Sequence, residues 1–99
     1  MLVQHIALLQ FKAGTSDEIV AEIFQKLERL THVIPGITSF SFGLNTSPEG
    51  LAQGFTHGMT MTFKDAAARD AYVRHPEHEQ FKAEAIPFVA NVVVLDYAS

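Results

Sequence analysis

Ninety-nine residues, 47% hydrophobic and 18% charged, make one globular domain (1–99) with no room for a second independent core. A net charge of −4 with seven scattered Lys and Arg argues against a nucleic-acid surface, and the lack of cysteine excludes disulfides, thiolate nucleophiles and Cys-based zinc sites. No apolar run approaches the roughly 20 residues that span a bilayer, so no membrane partner is expected, and a cysteine-free chain fits a reducing cytoplasm, the expected compartment.

Residues 2–11 read as a strand with apolar side chains on both faces. Val3, Ala7, Leu9 and Phe11 share one side with His5, and Leu2, Ile6 and Leu8 take the other. This opening lacks a basic flank and a small-residue cleavage site, and so reads as the first strand rather than a leader. Gly14 to Asp17 break it. Thr15 or Ser16 can cap the helix that follows, and Glu18 completes a capping box with Thr15. The stripe Ile19, Ile23, Leu27 and Leu30, widened by Val20 and Phe24, predicts a helix over about 16–32.

Pro35-Gly36 ends that unit. Residues 37–44 alternate, with Phe40, Phe42 and Leu44 opposite Ser39, Ser41 and Gly43, and predict a second strand. The polar stretch Asn45 to Gly54 is too long for a tight hairpin; it is expected to join two strands, with a lid over a pocket as the alternative. A third strand runs over 55–63, with Phe55, His57, Met59, Met61 and Phe63 on one side. Asp65 can cap a helix reaching about Arg74, and Pro76 suits the first turn of another, about 76–85. Val89 to Tyr97 reads as a fourth strand, apolar on both faces apart from Asn91 and Asp96.

The order β-α-β-β-α-β is the ferredoxin-like arrangement, an α+β subunit with a four-stranded antiparallel sheet and helices on one face. Such a sheet needs one apolar face per strand, yet the first and fourth strands have two. Self-association through the open sheet face is the economical cover, so a homodimer is expected.

Histidines stand where this pattern calls for something else. The run Tyr72 to His78 holds three proton-transfer side chains in seven residues, and His5 and His57 occupy apolar positions on strands. His78 shares a helical face with Phe81 and Ala85, which turns it inward. Turned inward, His78 can act as a general base and Tyr72 as a hydrogen-bond donor. His5 and His57 would orient a substrate or hold a water. Leu9, Ile23, Leu27, Met59 and Phe81 are the expected substrate walls. His75 and His78 supply too few ligands for zinc, so no metal is expected, and no fingerprint of a flavin, nicotinamide or phosphate site is present, so no cofactor is expected. His75 reads as an exposed or capping residue at the helix junction.

The chain resembles the stress-responsive α/β-barrel family. The matching residues are His5-Ile6, Ile34-Pro35-Gly36-Ile37, Asn45-x-Ser47, Gly54-Phe55-Thr56-His57, Tyr72-x-x-His75-Pro76-x-His78 and Asp96-Tyr97. The resemblance implies ferredoxin-like subunits paired sheet to sheet into a dimeric α/β barrel. It also implies a likeness to the plant polyketide cyclase branch, which closes aromatic rings by intramolecular aldol condensation; His78 and Tyr72 take the positions of its catalytic pair, and His5 and His57 those of pocket histidines. Three functions stay open at this point: a cofactor-free cyclase or isomerase acting on a small carbonyl compound, a non-catalytic small-molecule binder, and a structural stress protein.

Overall fold

The structure, a computed structural model, describes residues 1–99. Strand β1 (Val3–Phe11) leads into helix α1 (Asp17–Val33), then β2 (Ile37–Leu44), β3 (His57–Phe63), α2 (Ala66–Val73), α3 (Pro76–Ala85), one 3₁₀ turn (Ile86–Phe88) and β4 (Val89–Ala98). The sheet order is β2-β3-β1-β4, and every neighbouring pair is antiparallel. This is the ferredoxin-like order expected from the alternation of periods two and 3.6.

The helix starts follow local chemistry, with one correction. Ser16, not Thr15, caps α1, accepting a hydrogen bond from the Ile19 N–H. The Thr15 hydroxyl instead donates back to the Lys12 carbonyl at 2.7 Å, closing the preceding turn, so the Thr15–Glu18 capping box does not form. Asp65 caps α2 through the Ala68 N–H, and His75 caps α3, its Nδ1 accepting from the Glu77 N–H at 3.1 Å. The third strand begins at His57 rather than Phe55, because the Phe55 N–H is drawn into the loop by the Ala52 carbonyl.

The core lies between the sheet and α1 and α2, where Phe24, Met61, Phe63 and Tyr72 are the largest fully buried side chains. Each removes enough apolar surface from water to contribute about 1.5–3 kcal/mol. Gly36 sets how closely α2 can approach. Its φ is +94°, and a Cβ there would meet the Ala68 Cβ at 2.6 Å, so both the backbone and the contact require glycine.

Strand register decides what each face carries. On the helix side, His5 lies opposite Met61 and Asp96, Ala7 opposite Met59 and Val94, and Leu9 opposite His57 and Val92. On the open side, Ile6 and Leu8 pair with Leu95 and Val93, while Thr60 and Thr62 face Ser41 and Ser39 across β3 and β2. The open face is therefore apolar over β1 and β4 and polar over β2 and β3. Val92 and Val94, on the helix side of β4, remain 49% and 56% exposed.

Candidate functional site

A cavity of about 320 Å3 opens between α1, α3 and the sheet. Ala7, Leu9 and Met59 form its floor, Ile23 and Leu27 come from α1, Phe81 and Ala85 from α3, and Val92 and Val94 from β4. His5, Tyr72 and His78 supply most of the polar lining, with Lys82 the one charged residue. A space this size is at the small end of ligand pockets, and an apolar wall with few polar groups suits a small organic molecule.

The three polar groups come from three elements. Tyr72 on α2 is 1% exposed, and its ring stacks on that of His78 with centroids 4.1 Å apart and planes 25° off parallel. Burial pushes the Tyr72 phenol up, and no hydrogen bond contributes to the shift, so the hydroxyl stays protonated as a donor at neutral pH. His78, half-buried in the first turns of α3, makes a 3.1 Å hydrogen bond from Nδ1 to the Val73 carbonyl. A carbonyl only accepts, so Nδ1 carries the proton and Nε2 keeps its lone pair. Burial lowers the His78 pKa, against the opposing Val73 bond, with Lys82 and His5 adding to the depression and Glu79 resisting it. The ring is consequently a neutral base near pH 7.

His5 sits mid-strand on β1. Its Nδ1 lies 2.7 Å from Asp96 Oδ1 on the neighbouring strand, and its ring meets the edges of Phe63 and Tyr72 at 5.9 Å each. Arg69 on α2 donates from Nη1 to Asp96 Oδ2 at 3.0 Å and from Nε to Asp70 Oδ1 at 2.8 Å.

Thus the structure brings His5, Tyr72 and His78 together, with Leu9, Ile23, Leu27, Met59 and Phe81 all lining the same space. It does not bring His57 there. His57 faces the helices as expected, but it pairs with Leu9, four residues along β1 from His5, roughly 13 Å at strand spacing. Its Nδ1 meets the Thr56 hydroxyl at 2.8 Å, and its ring packs against Phe24 and Phe11 at 5.6 and 5.3 Å. Burial lowers its pKa, with Asp17 pulling the other way. The loop Asn45–Gly54 stays at this same end, beside a separate depression lined by His57, Phe42, Leu44 and Leu51. It holds itself through Asn45 Oδ1 and Ser47 Oγ, which accept from the Ser47 and Glu49 N–H groups. It is a connector, not a lid over Tyr72 and His78. His75 spends its Nδ1 as a helix cap, and no cluster of three or more His, Cys, Asp or Glu is placed to hold a metal ion. No helix is long and apolar enough to cross a membrane.

Sequence reasoning named Asp96 as a break in the fourth strand and as a family-matching residue but gave it no site role, and it passed over Arg69 and the cavity faces of Val92 and Val94. The available signal was Asp96 itself, an acidic break in an otherwise apolar strand.

Comparison with known proteins adds the family. Residues 3–99 match the Stress Responsive A/B Barrel Domain. The chain belongs to that family. It is 34% identical over 95 residues to the stress-response A/B barrel domain-containing protein HS1 of Arabidopsis thaliana, covering 96% of this chain and 87% of that one. It is 26% identical over 97 residues to olivetolic acid cyclase of Cannabis sativa, covering 98% and 96%. Among solved structures, hydroxynitrile lyase from Passiflora edulis superposes with a TM-score of 0.90 at 28% identity, covering 97% of this chain and 91% of the lyase. A dimeric ferredoxin-like protein from Jannaschia sp. CCS1 superposes with a TM-score of 0.88 at 26% identity over the whole of both chains.

Proposed function

We propose that this stress-responsive barrel domain is a cofactor-independent acid–base catalyst acting on a small carbonyl compound, through aldol-type cyclisation or isomerisation. The observation that carries the reading is the stacked Tyr72–His78 pair on an apolar cavity, one ring holding a proton and the other a free lone pair. In the reaction, His78 Nε2 takes the proton alpha to the carbonyl and becomes imidazolium, its Nδ1–H staying on Val73. The electron pair moves onto the carbonyl oxygen, where the Tyr72 hydroxyl stabilises the enolate. The enolate carbon then attacks a second carbonyl, whose oxygen takes the proton back from the imidazolium, or, in a conjugated dienolate, a remote carbon takes that proton; either way His78 is restored. Leu9, Ile23, Leu27, Met59 and Phe81 hold the apolar part of the substrate. His57 has no part in this reading.

Two relatives named for enzymes, a cyclase and a lyase, support a catalytic use of this fold. The working unit is a homodimer joined through the open sheet faces. The apolar strip of Ile6, Leu8, Val93 and Leu95, together with the dimeric Jannaschia protein, supports that assembly. A cytoplasmic location accompanies the proposal.

The test is hydrogen–deuterium exchange at the alpha carbon of alkyl methyl ketones and 3-oxo thioesters, followed by proton NMR. The wild-type protein should accelerate exchange, and His78→Ala should lose about 10²–10⁴-fold of that rate while its circular dichroism is unchanged. Exchange by the folded variant at the wild-type rate would remove His78 from the mechanism. A wild-type protein that binds these ketones without accelerating exchange would favour the non-catalytic binder.

A further inference from the structure

A carboxylate has two oxygens and can serve two donors at once, and Asp96 does so. Oδ1 lies 2.7 Å from His5 Nδ1, while Oδ2 accepts from Arg69 Nη1 at 3.0 Å. Arg69 is itself tied through Nε to Asp70 at 2.8 Å. The series Asp70–Arg69–Asp96–His5 runs from α2 across to β4 and back to β1. Its side chains become less accessible toward the cavity, at 55%, 28%, 20% and 12% in that order.

Each link restricts the next. Register places Asp96 directly opposite His5, and the guanidinium holds the far carboxylate oxygen, which leaves the near oxygen directed at the imidazole. An ionised carboxylate only accepts, so a neutral His5 carries its proton on Nδ1 and leaves Nε2 bare. Arg69 also lies three residues before Tyr72 on α2, on the same helix face, so the contact that anchors Asp96 fixes the helix carrying the phenol.

We infer that Arg69 is a positioning residue that, acting through Asp96, fixes the tautomer of His5 and makes it a second proton acceptor on the cavity beside His78. The inference rests on the acid–base reading of the cavity. In the step it describes, His5 Nε2 takes a proton from a substrate C–H or O–H and becomes imidazolium. The electron pair stays on the substrate, and the Nδ1–H stays on Asp96. Two imidazoles with bare Nε2 atoms give the site a separate base for each of two deprotonations, as a cyclisation followed by loss of water requires.

The experiment is nitrogen-15 NMR of the histidine rings, recorded at alkaline pH where every imidazole is neutral. Wild-type His5 should be wholly in the Nδ1–H form. Arg69→Gln should convert it to a mixture with the Nε2–H form while His78 keeps its tautomer. Arg69→Lys, which restores charge without the two-point geometry, should recover part of the wild-type population. Asp70→Asn, on an exposed side chain, should shift His5 in the same direction by less, and it serves as the readout if Arg69→Gln fails to fold. Wild-type His5 in the Nε2–H form, or a folded Arg69→Gln protein with His5 still wholly Nδ1–H, overturns the inference. This readout needs no turnover, so absence of carbonyl chemistry would strike the proposed function and leave the tautomer result standing.

Discussion

Tyr72 separates a packing role from a chemical one, because two substitutions remove different parts of it. Its ring contacts those of Phe63, His5 and His78 at 5.1, 5.9 and 4.1 Å, and the residue is 1% exposed. Tyr72→Ala deletes a buried aromatic side chain, a loss of about 3–5 kcal/mol. For a domain of this size that lowers the melting temperature by roughly 12–40 °C. Tyr72→Phe removes only the hydroxyl, and burial alone accounts for the shift of that hydroxyl, with no hydrogen bond involved. The folded state forfeits little, so we expect a change within about 0.5 kcal/mol, or about 2–4 °C. Alpha-proton exchange should nevertheless fall by about 10²–10³-fold, the cost of losing one donor to a developing oxyanion. Melting followed by circular dichroism at fixed protein concentration, paired with the exchange assay, measures both quantities. A fall of more than about 8 °C in Tyr72→Phe would show a structural hydroxyl. Full exchange activity in the same variant would show that the phenol is not the electrophile.

Assembly and pH give two further tests. Leu95 lies on the open face and is 56% exposed in the single chain, so Leu95→Lys should leave the subunit fold intact. A two-fold axis places the substitution in the interface twice, so the dimer should weaken by about 3–6 kcal/mol, or roughly two to four orders of magnitude in Kd. Sedimentation that finds Leu95→Lys still dimeric, or the wild type monomeric at micromolar concentration, would sink the open-face interface. Burial depresses both His57 and His78 below the ordinary imidazole value of 6.5, so the unfolded chain binds protons that the native state refuses. Stability should be full above about pH 7 and fall as pH drops through 6.5 toward the depressed native values. Chemical denaturation across that range should show a flatter slope in His57→Gln/His78→Gln, and an identical slope would contradict the assignment.

The fold was legible because its periods are unambiguous. Alternation over 37–44 and the stripe from Ile19 to Leu30 each specify one element type, and Pro35-Gly36 and Pro76 mark the boundaries. Part of the cavity was legible for the same reason: Leu9, Met59, Ile23, Leu27 and Phe81 were each assigned an inward face by periodicity. A face is not a position, however. His57 shares the helix side with His5, but distance along the strand carries it to the other end of the sheet, and parity reports nothing of that distance. The His5–Asp96 contact spans 91 residues and depends on a register that only the assembled sheet defines. Arg69 looked like one more scattered surface base because its partner on β4 is 27 residues away.

Strand β4 carries a consequence of its own. A one-residue slip of a strand normally moves apolar side chains into water and polar ones into the core, and that penalty locks the pairing. Here the penalty is nearly absent, since Val92 and Val94 on one side and Val93 and Leu95 on the other are interchangeable in hydrophobicity. Sliding the strand would exchange two valine-rich sets at little cost in burial. It would also remove Asp96 from His5 and Arg69 and turn the carboxylate onto the apolar open face, leaving His5 opposite Leu95 or Tyr97. The only acidic residue of β4 therefore keys the alignment of the whole edge strand, and the group that orients an imidazole also tells the last strand where to stop.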